Sequence, residues 1–185
     1  MTAKITRQKC VLLDADVVIE AHELSIWQRL TELLQVIVPS TVAHDEALFF
    51  SPAGRDSRKD IALQTLVEGG SITELSATYE DLVSISNMFD RVFVETLHPG
   101  ETEALALLKA NKAGVACFCT GDRHAIQALA MIGLSGRGIS LEALLVSIGM
   151  RRRLKRQFAE AFFRRNLRAG QQKRITGEGL TESDL

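Results

Sequence analysis

Apolar residues follow two alternating patterns along this chain. Short apolar runs bounded by polar residues predict buried strands at residues 9–14, 36–38, 71–75 and 115–120. Between these runs apolar residues recur at helical spacing, as Leu24, Trp27 and Leu30 do within the segment 24–34. Strands that alternate with helices predict an α/β fold with a mainly parallel central sheet flanked by helices.

Charge divides the chain near residue 150. Residues 1–150 hold 12 Lys and Arg against 19 Asp and Glu, whereas residues 151–174 hold ten Lys and Arg against Glu160 alone. We therefore predict one domain over residues 1–150 and a basic C-terminal helical extension over 151–185. Within the extension, a helix is expected from about Arg152 to Leu167 and a disordered tail after Gly170.

The basic extension has several interpretations, because an apolar stripe that includes Leu154, Phe158 and Phe162 accompanies its charge. It is a nucleic-acid arm, a docking helix for a protein or for a second copy of the chain (a homodimer), a membrane-surface helix, or a helix packed on the body. We favour the nucleic-acid arm. Its candidate phosphate-binding residues are Arg151, Arg152, Arg153, Lys155, Arg156, Arg164 and Arg165.

The composition also bears on the cellular compartment. No apolar stretch approaches the roughly 20 residues of a membrane span, and no signal-peptide pattern opens the chain. The three cysteines, Cys10, Cys117 and Cys119, form no C-x-x-C pair, so neither a disulfide framework nor a zinc site is indicated. These features predict a cytoplasmic protein with no membrane partner.

Acidic residues follow two of the predicted strands. Asp14 and Asp16 come after the apolar run that begins at residue 9, and Asp122 comes after the run 115–120 and a glycine turn. Open α/β sheets bind ligands at the carboxyl ends of their strands. These carboxylates are therefore site candidates, although each also suits an ordinary helix cap.

Two helical segments supply further acids. Glu46 shares a predicted helical face with Val42 and Phe49, in a helix expected to continue toward Phe50. Glu103 precedes Leu107 by four residues, which places it on the buried side of its helix, and Glu101 is a second candidate there. Both also suit the dipole of a helix start.

Four separate regions thus direct a carboxylate toward the kind of edge where an α/β cleft forms. Clustered carboxylates repel one another and need a counter-charge. Mg²⁺ or Mn²⁺ is the usual partner of an all-oxygen ligand set, and such ions activate water for attack on phosphoryl groups. The acid pattern therefore predicts metal-assisted hydrolysis of phosphodiester bonds.

Other site chemistries have weaker support. The chain contains no G-x-x-x-x-G-K-[ST] phosphate loop, no G-x-G-x-x-G after a strand and no G-x-S-x-G elbow. A phosphatase of the haloacid-dehalogenase-like kind would use the D-x-D pair Asp14 and Asp16 to form an aspartyl-phosphate. Its later acidic loop would need a second acid where Ala125 and Ile126 stand, so this alternative ranks behind hydrolysis of nucleic acid.

Four stretches resemble the PIN-domain family of nucleases in order and spacing. They are residues 12–17 (LLDADV), 38–48 (VPSTVAHDEAL), 100–107 (GETEALAL) and 119–122 (CTGD). The resemblance implies a three-layer sandwich with an acidic pocket that holds one or two metal ions, and nuclease activity, usually on RNA. Carried over by position, the catalytic acids would be Asp14, Glu46, Glu103 and Asp122, with Asp14, Glu103 and Asp122 as metal ligands and Glu101 and Thr120 as supporting residues. Asp16 stands where the family has Asn or Ser, so it is a further supporting residue, either as an additional ligand or as a substitute for that residue.

Many members of this family are toxin ribonucleases that a small antitoxin inhibits, so the resemblance also implies an antitoxin-like protein partner. An alternative within the same fold is a nucleic-acid-binding module that has no catalytic activity. RNA cleavage that depends on Asp14 and Asp122 would distinguish the enzyme from this alternative.

Overall fold

A five-stranded parallel sheet forms the centre of the protein. The computed structural model describes residues 9–52 and 57–181. Its strands are β1 Lys9–Leu13, β2 Leu34–Pro39, β5 Thr73–Leu75, β6 Cys117–Cys119 and β7 Gly138–Ile139. They lie in the order β5-β2-β1-β6-β7, and all neighbours are parallel. Outside this sheet, β3 Phe49–Phe50 pairs with β4 Lys59–Asp60 in antiparallel orientation.

Helices connect the strands. Their bounds are α1 Ala15–Glu23, α2 Trp27–Leu33, α3 Leu63–Glu68, α4 Tyr79–Ser86, α5 Arg91–Val94, α6 Pro99–Lys109, α7 Arg123–Met131, α8 Leu141–Ser147 and α9 Glu160–Thr176. A π-helical turn spans Val42–Glu46, and short 3₁₀ turns span Ser135–Arg137 and Arg156–Phe158. None of the described helices is both long enough and apolar enough to cross a bilayer.

The sheet has a hydrophobic core on each face. Val11 and Leu13 of β1 pack with α1, α2, α3 and α8 on one face, whereas Leu12 packs with α4, α5, α6 and α7 on the other. Because both faces are covered, the strands consist of nearly continuous apolar residues. The predicted α/β fold, a parallel central sheet flanked by helices as a three-layer sandwich, is confirmed.

The strand order positions the site. β2 and β5 lie on one side of β1, and β6 and β7 lie on the other. The order in which strands are added to the sheet therefore reverses between β1 and β6. Leu13 is paired with Cys119, which brings the next residues, Asp14 and Thr120, to the same edge. A crevice at the carboxyl ends of two such strands is where open α/β sheets bind ligands.

The C-terminal segment differs from its prediction. Its helix, α9, begins at Glu160 rather than near residue 152 and continues to Thr176, so the expectation of disorder after Gly170 is wrong for this part. α9 packs along α7, and a Cβ at Gly170 would collide with the backbone of Gln127. Residues 182–185 of the expected tail lie outside the described residues. Contact with α7, which local patterning does not reveal, explains the longer helix.

Candidate active site

Five carboxylates surround one cleft of about 280 Å³ at the carboxyl edge of the sheet. They come from the turn after β1, the π-helical turn, the start of α6 and the turn after β6. The residues that line this acidic cleft are Asp14, Ala15, Asp16, Ile19, Glu46, His98, Glu101 and Asp122. The structure thus brings together most of the acids that the sequence analysis singled out.

Asp14 lies at the buried end of the acidic cleft. It caps α1, and its Oδ1 atom accepts a hydrogen bond of 2.7 Å from the Ala15 N–H. Its Oδ2 atom accepts a hydrogen bond of 2.6 Å from the Thr120 hydroxyl. Burial, together with the nearby charges of Asp16 and Glu46, raises the pKa of Asp14 to about 7 despite these bonds.

Thr120, a predicted supporting residue, connects two of the cleft acids. Its hydroxyl donates to Asp14 and accepts a hydrogen bond of 3.1 Å from the Asp122 N–H. Asp122 caps α7 through its Oδ1 atom, which accepts from the N–H groups of His124 (2.6 Å) and Ala125 (3.0 Å). Asp122 is therefore both a helix cap and a residue of the cleft.

Glu101 faces the cleft from the first turn of α6. Its side chain is 4% exposed, and its Oε2 atom accepts one hydrogen bond, 2.9 Å from the His98 N–H. Burial, and then the charges of Asp14 and Asp122, raise the pKa of Glu101 to about 9. The pKa of the more exposed Asp16 is also raised, by partial burial and by Asp122. The cleft therefore gathers carboxyl groups whose mutual repulsion the surrounding protein only partly compensates, and Glu101 keeps its proton up to about pH 9 in the metal-free protein.

Glu46 reaches the cleft in a way that the sequence did not indicate. The predicted helix through residue 50 is wrong, since a π-helical turn ends at Glu46 and strand β3 begins at Phe49. The Glu46 Oε1 atom accepts a hydrogen bond of 2.9 Å from the Gly100 N–H. A Cβ at residue 100 would collide with the Glu46 carboxylate and with a Val42 methyl group, so glycine at this position allows the close approach.

Glu103 does not line the cleft, although it was expected there as a catalytic acid and metal ligand. Both of its oxygens accept backbone hydrogen bonds, Oε2 from the Thr41 N–H (2.7 Å) and Oε1 from the Ala77 N–H (3.0 Å). Side chains two positions apart in an α-helix point in directions that differ by about 200°, so Glu101 and Glu103 face different sides of α6. The structure therefore gives Glu101 the position in the cleft and Glu103 a structural position.

The donor set is suited to a hard divalent cation. In the described part of the chain, no Lys or Arg forms an ion pair with a cleft carboxylate, and the contact nearest to an ion pair joins His124 Nδ1 to Asp122 Oδ1 at 3.9 Å. Within residues 9–52 and 57–181, no three His, Cys, Asp or Glu side chains already have the spacing of a metal site. The oxygen donors thus fit Mg²⁺ or Mn²⁺ in kind, and they would have to move closer together to hold it.

The residues predicted to bind nucleic acid are all exposed, but not all of them are free. Lys155 forms ion pairs with Glu20 and Glu23, and Arg164 forms one with Glu160.

The acidic cleft also includes His98, which was not among the predicted site residues. Its place before Pro99 at the start of α6 was the signal that could have indicated it.

Comparison of the chain with protein-family models, with curated proteins and with solved structures found no match in any of the three.

Proposed function

We propose that this protein is a metal-dependent endoribonuclease that hydrolyses phosphodiester bonds in the acidic cleft. The observation that carries the proposal is the convergence of five carboxylates from four segments at the point where the strand order reverses. Two of them, Asp14 and Glu101, have pKa values raised to about 7 and about 9. Clustering acids in this way is costly unless a cation compensates for the repulsion.

Asp14, Glu101 and Asp122 are the residues that would hold Mg²⁺ or Mn²⁺, with Glu101 in the role first expected of Glu103. When bound, such an ion supplies a water of lowered pKa and neutralises charge on the phosphoryl oxygens. The Thr120 hydroxyl holds the Asp14 carboxylate in place through its 2.6 Å hydrogen bond. Asp16 is exposed in the cleft and has a raised pKa, so it is the acid best suited to accept a proton from the attacking water.

RNA as the substrate follows from the resemblance to PIN-domain nucleases, as does a role as the toxin of a toxin–antitoxin pair. The proposal also places the activity in the cytoplasm. The three free cysteines, Cys10, Cys117 and Cys119, support that location, because thiols stay reduced there.

The test is cleavage of a fluorescent single-stranded RNA by the purified protein with Mn²⁺ or Mg²⁺. Asp14→Asn and Asp122→Asn should each lower the rate by about 100-fold or more, because a metal-site interaction of several kcal/mol is lost. Asparagine is as good a helix cap as aspartate, so both variants should keep their helices, which circular dichroism checks.

Asp45→Asn is the matched control. Asp45 is exposed on the π-helical turn directly before Glu46, and it does not line the cleft. This variant should therefore cleave as the wild type does. Equal cleavage by all variants would reject the proposal. RNA binding that survives chelation, without any cleavage by the wild type, would favour the binding module of the same fold.

A further inference from the structure

The end of the basic segment that precedes α9 lies close to the acidic cleft. Phe158 is buried, and a Cβ at Gly121 would collide with the Phe158 ring. Gly121 immediately precedes the cleft residue Asp122. The 3₁₀ turn Arg156–Phe158 is therefore packed against the turn that carries one of the cleft acids. We call residues 151–156 the cationic strap.

Lys155 fastens this strap to α1. Its Nζ atom lies 2.6 Å from Glu20 Oε2 and 2.6 Å from Glu23 Oε2. Glu20 is 2% exposed, and its Oε2 atom accepts no hydrogen bond within the described residues, so the ion pair with Lys155 is what compensates its charge. A buried carboxylate without a cation is strongly unfavourable, so the Lys155 ammonium is held in this place. Its charge compensates Glu20 and Glu23 rather than a ligand.

The contact reaches the cleft along one face of α1. Asp16, Glu20 and Glu23 are spaced four and three residues apart, which places them on the same side of the helix. Lys155 contacts Glu20 on this face, so the Lys155 end of the strap lies about one helical turn from Asp16 of the acidic cleft.

None of the four arginines of the strap has a carboxylate partner, since all four are exposed and no ion pair within the described ranges involves them. Arg152 donates a hydrogen bond of 3.0 Å to the Arg151 carbonyl, whereas the guanidinium groups of Arg151, Arg153 and Arg156 have no partner among the described residues. A guanidinium group binds a phosphate through two parallel hydrogen bonds. An acidic cleft by itself repels a polyanion, so a nucleic-acid substrate needs cations close to the cleft. These three arginines are suited to supply them.

We propose that Lys155 is a positioning residue that clamps the cationic strap beside the acidic cleft, where Arg151, Arg153 and Arg156 bind the phosphates that flank the scissile one in single-stranded RNA. This inference rests on the proposed function, because it assumes that the cleft acts on RNA. It assigns different roles to residues that carry the same charge. The arginines contact the substrate, whereas Lys155 acts through the segment that it holds.

The first test measures binding of fluorescein-labelled oligo(U) at several salt concentrations, in the presence of a chelator so that no cleavage occurs. The triple variant R151Q/R153Q/R156Q should bind at least about tenfold more weakly at low salt. Its slope of log affinity against log salt should fall by about 2, since each lost phosphate contact on a single strand lowers the slope by about 0.7.

The matched control removes three positive charges at the opposite edge of the sheet. Arg29 lies in α2, which leads into β2. Lys109 is the last residue of α6, and Lys112 follows it in the connection to β6. The variant R29Q/K109Q/K112Q should keep the wild-type slope. Equal slopes for the two triple variants would overturn the proposal, because they would show that only net charge matters.

The role of Lys155 has its own readout. If Lys155 were simply a phosphate contact, K155M would lower the slope by about 0.7, whereas release of the strap should lower it by about 2 although all three arginines remain. K155R should restore the wild-type slope. E20Q/K155M removes the buried Glu20 charge together with its exposed cation, so it avoids an uncompensated buried carboxylate and should bind RNA as weakly as K155M. A fall of about 0.7 in both variants would refute the positioning role.

These outcomes are separate from those of the proposed function, because binding is measured without metal and without cleavage. If the slope falls as expected but the wild type does not cleave RNA, the proposed hydrolysis fails and the RNA-binding strap remains. If the wild type cleaves RNA but the strap variants bind it normally, the strap inference fails alone. Loss of binding to phosphatidylserine vesicles with unchanged RNA binding would also overturn it, in favour of a membrane surface.

Discussion

A buried glutamate of α6 has a different role in each of two regions, the acidic cleft that contains Glu101 and the backbone contacts that surround Glu103. Glu101 and Glu103 belong to the same helix and are almost equally buried, at 4% and 5% exposure. Glu103 accepts one backbone hydrogen bond at each oxygen, which joins the chain before the π-helical turn to the chain after β5. Glu101 accepts a single backbone hydrogen bond and lies near three other carboxyl groups, those of Asp14, Asp122 and Asp16.

The difference shows that burial alone does not identify a functional acid. A buried carboxylate that accepts several backbone hydrogen bonds is compensated and stabilises the fold. A buried carboxylate beside like charges is not compensated, and such groups are concentrated at functional sites. The hydrogen-bond partners of each carboxylate therefore assign Glu101 to the site and Glu103 to the scaffold. The variants below test this contrast.

Glu101→Gln should produce the largest effect, a loss of RNA cleavage of about 100-fold or more. It should also change the pH dependence of stability in metal-free protein. The Glu101 carboxyl loses its proton near pH 4.5 when unfolded but near about pH 9 when folded, so the folded state holds the extra proton between these values. The wild-type free energy of unfolding should therefore fall as the pH rises through this range, and the variant should show a smaller fall.

Urea unfolding at a series of pH values measures this change, with Glu142→Gln as a control. Glu142 is an exposed glutamate on α8 and does not line the cleft, so its substitution should leave both the pH dependence and the cleavage rate unchanged. A Glu101→Gln variant that cleaves RNA normally would remove Glu101 from the site.

Glu103→Gln should act mainly on stability. An amide oxygen can replace one carboxylate oxygen as an acceptor, but the amide nitrogen cannot accept from the second backbone N–H. We expect a loss of about 1.5–3 kcal/mol in the free energy of unfolding, the range for hydrogen bonds to charged groups. Chemical denaturation measures the loss, and the folded protein should still cleave RNA. Unchanged stability combined with lost cleavage would reverse the assignments of Glu101 and Glu103.

Gly100→Ala tests the position of Glu46 and should have a smaller effect. The added methyl group would collide with the Glu46 carboxylate, so the Glu46 side chain must leave its present position. We expect a loss of about 1–3 kcal/mol from overpacking, accompanied by slower cleavage. Gly136→Ala is the control, because a Cβ at Gly136 meets no atom within 4 Å. Equal behaviour of the two variants would show that Glu46 does not depend on Gly100.

Much of the scaffold was predictable because local patterns determine it. The apolar runs that contain Val11, Ile37 and Phe118 are strands in the structure, and Ser140 caps α8 as its position before an apolar helix predicts. The two-residue strand β7, Gly138–Ile139, was missed, since so short a segment has no periodicity to detect. The extent of α9 was missed because its last turns are polar and depend on packing against α7.

The candidate site was predictable only in part. Asp14 and Asp122 follow strands directly, so the parallel sheet brings them to one edge whatever the helices do. Glu46 depends on a π-helical turn and on its approach to Gly100, neither of which a helical pattern reveals. The sequence led to Glu103 as the catalytic acid and to Glu101 as a supporting residue, and the apolar pattern of α6 could not correct this choice because it fits both residues.

The sequence by itself determined which segments become buried strands and that carboxylates stand at the ends of β1 and β6, because apolar periodicity and chain connectivity are local properties. Only the tertiary structure decided which acid of α6 accepts two backbone hydrogen bonds and which one faces other carboxyl groups in the cleft. It also decided that Lys155 joins the basic strap to α1. These outcomes depend on contacts between residues far apart in the chain, where burial and the distance between charges set the energy of each group.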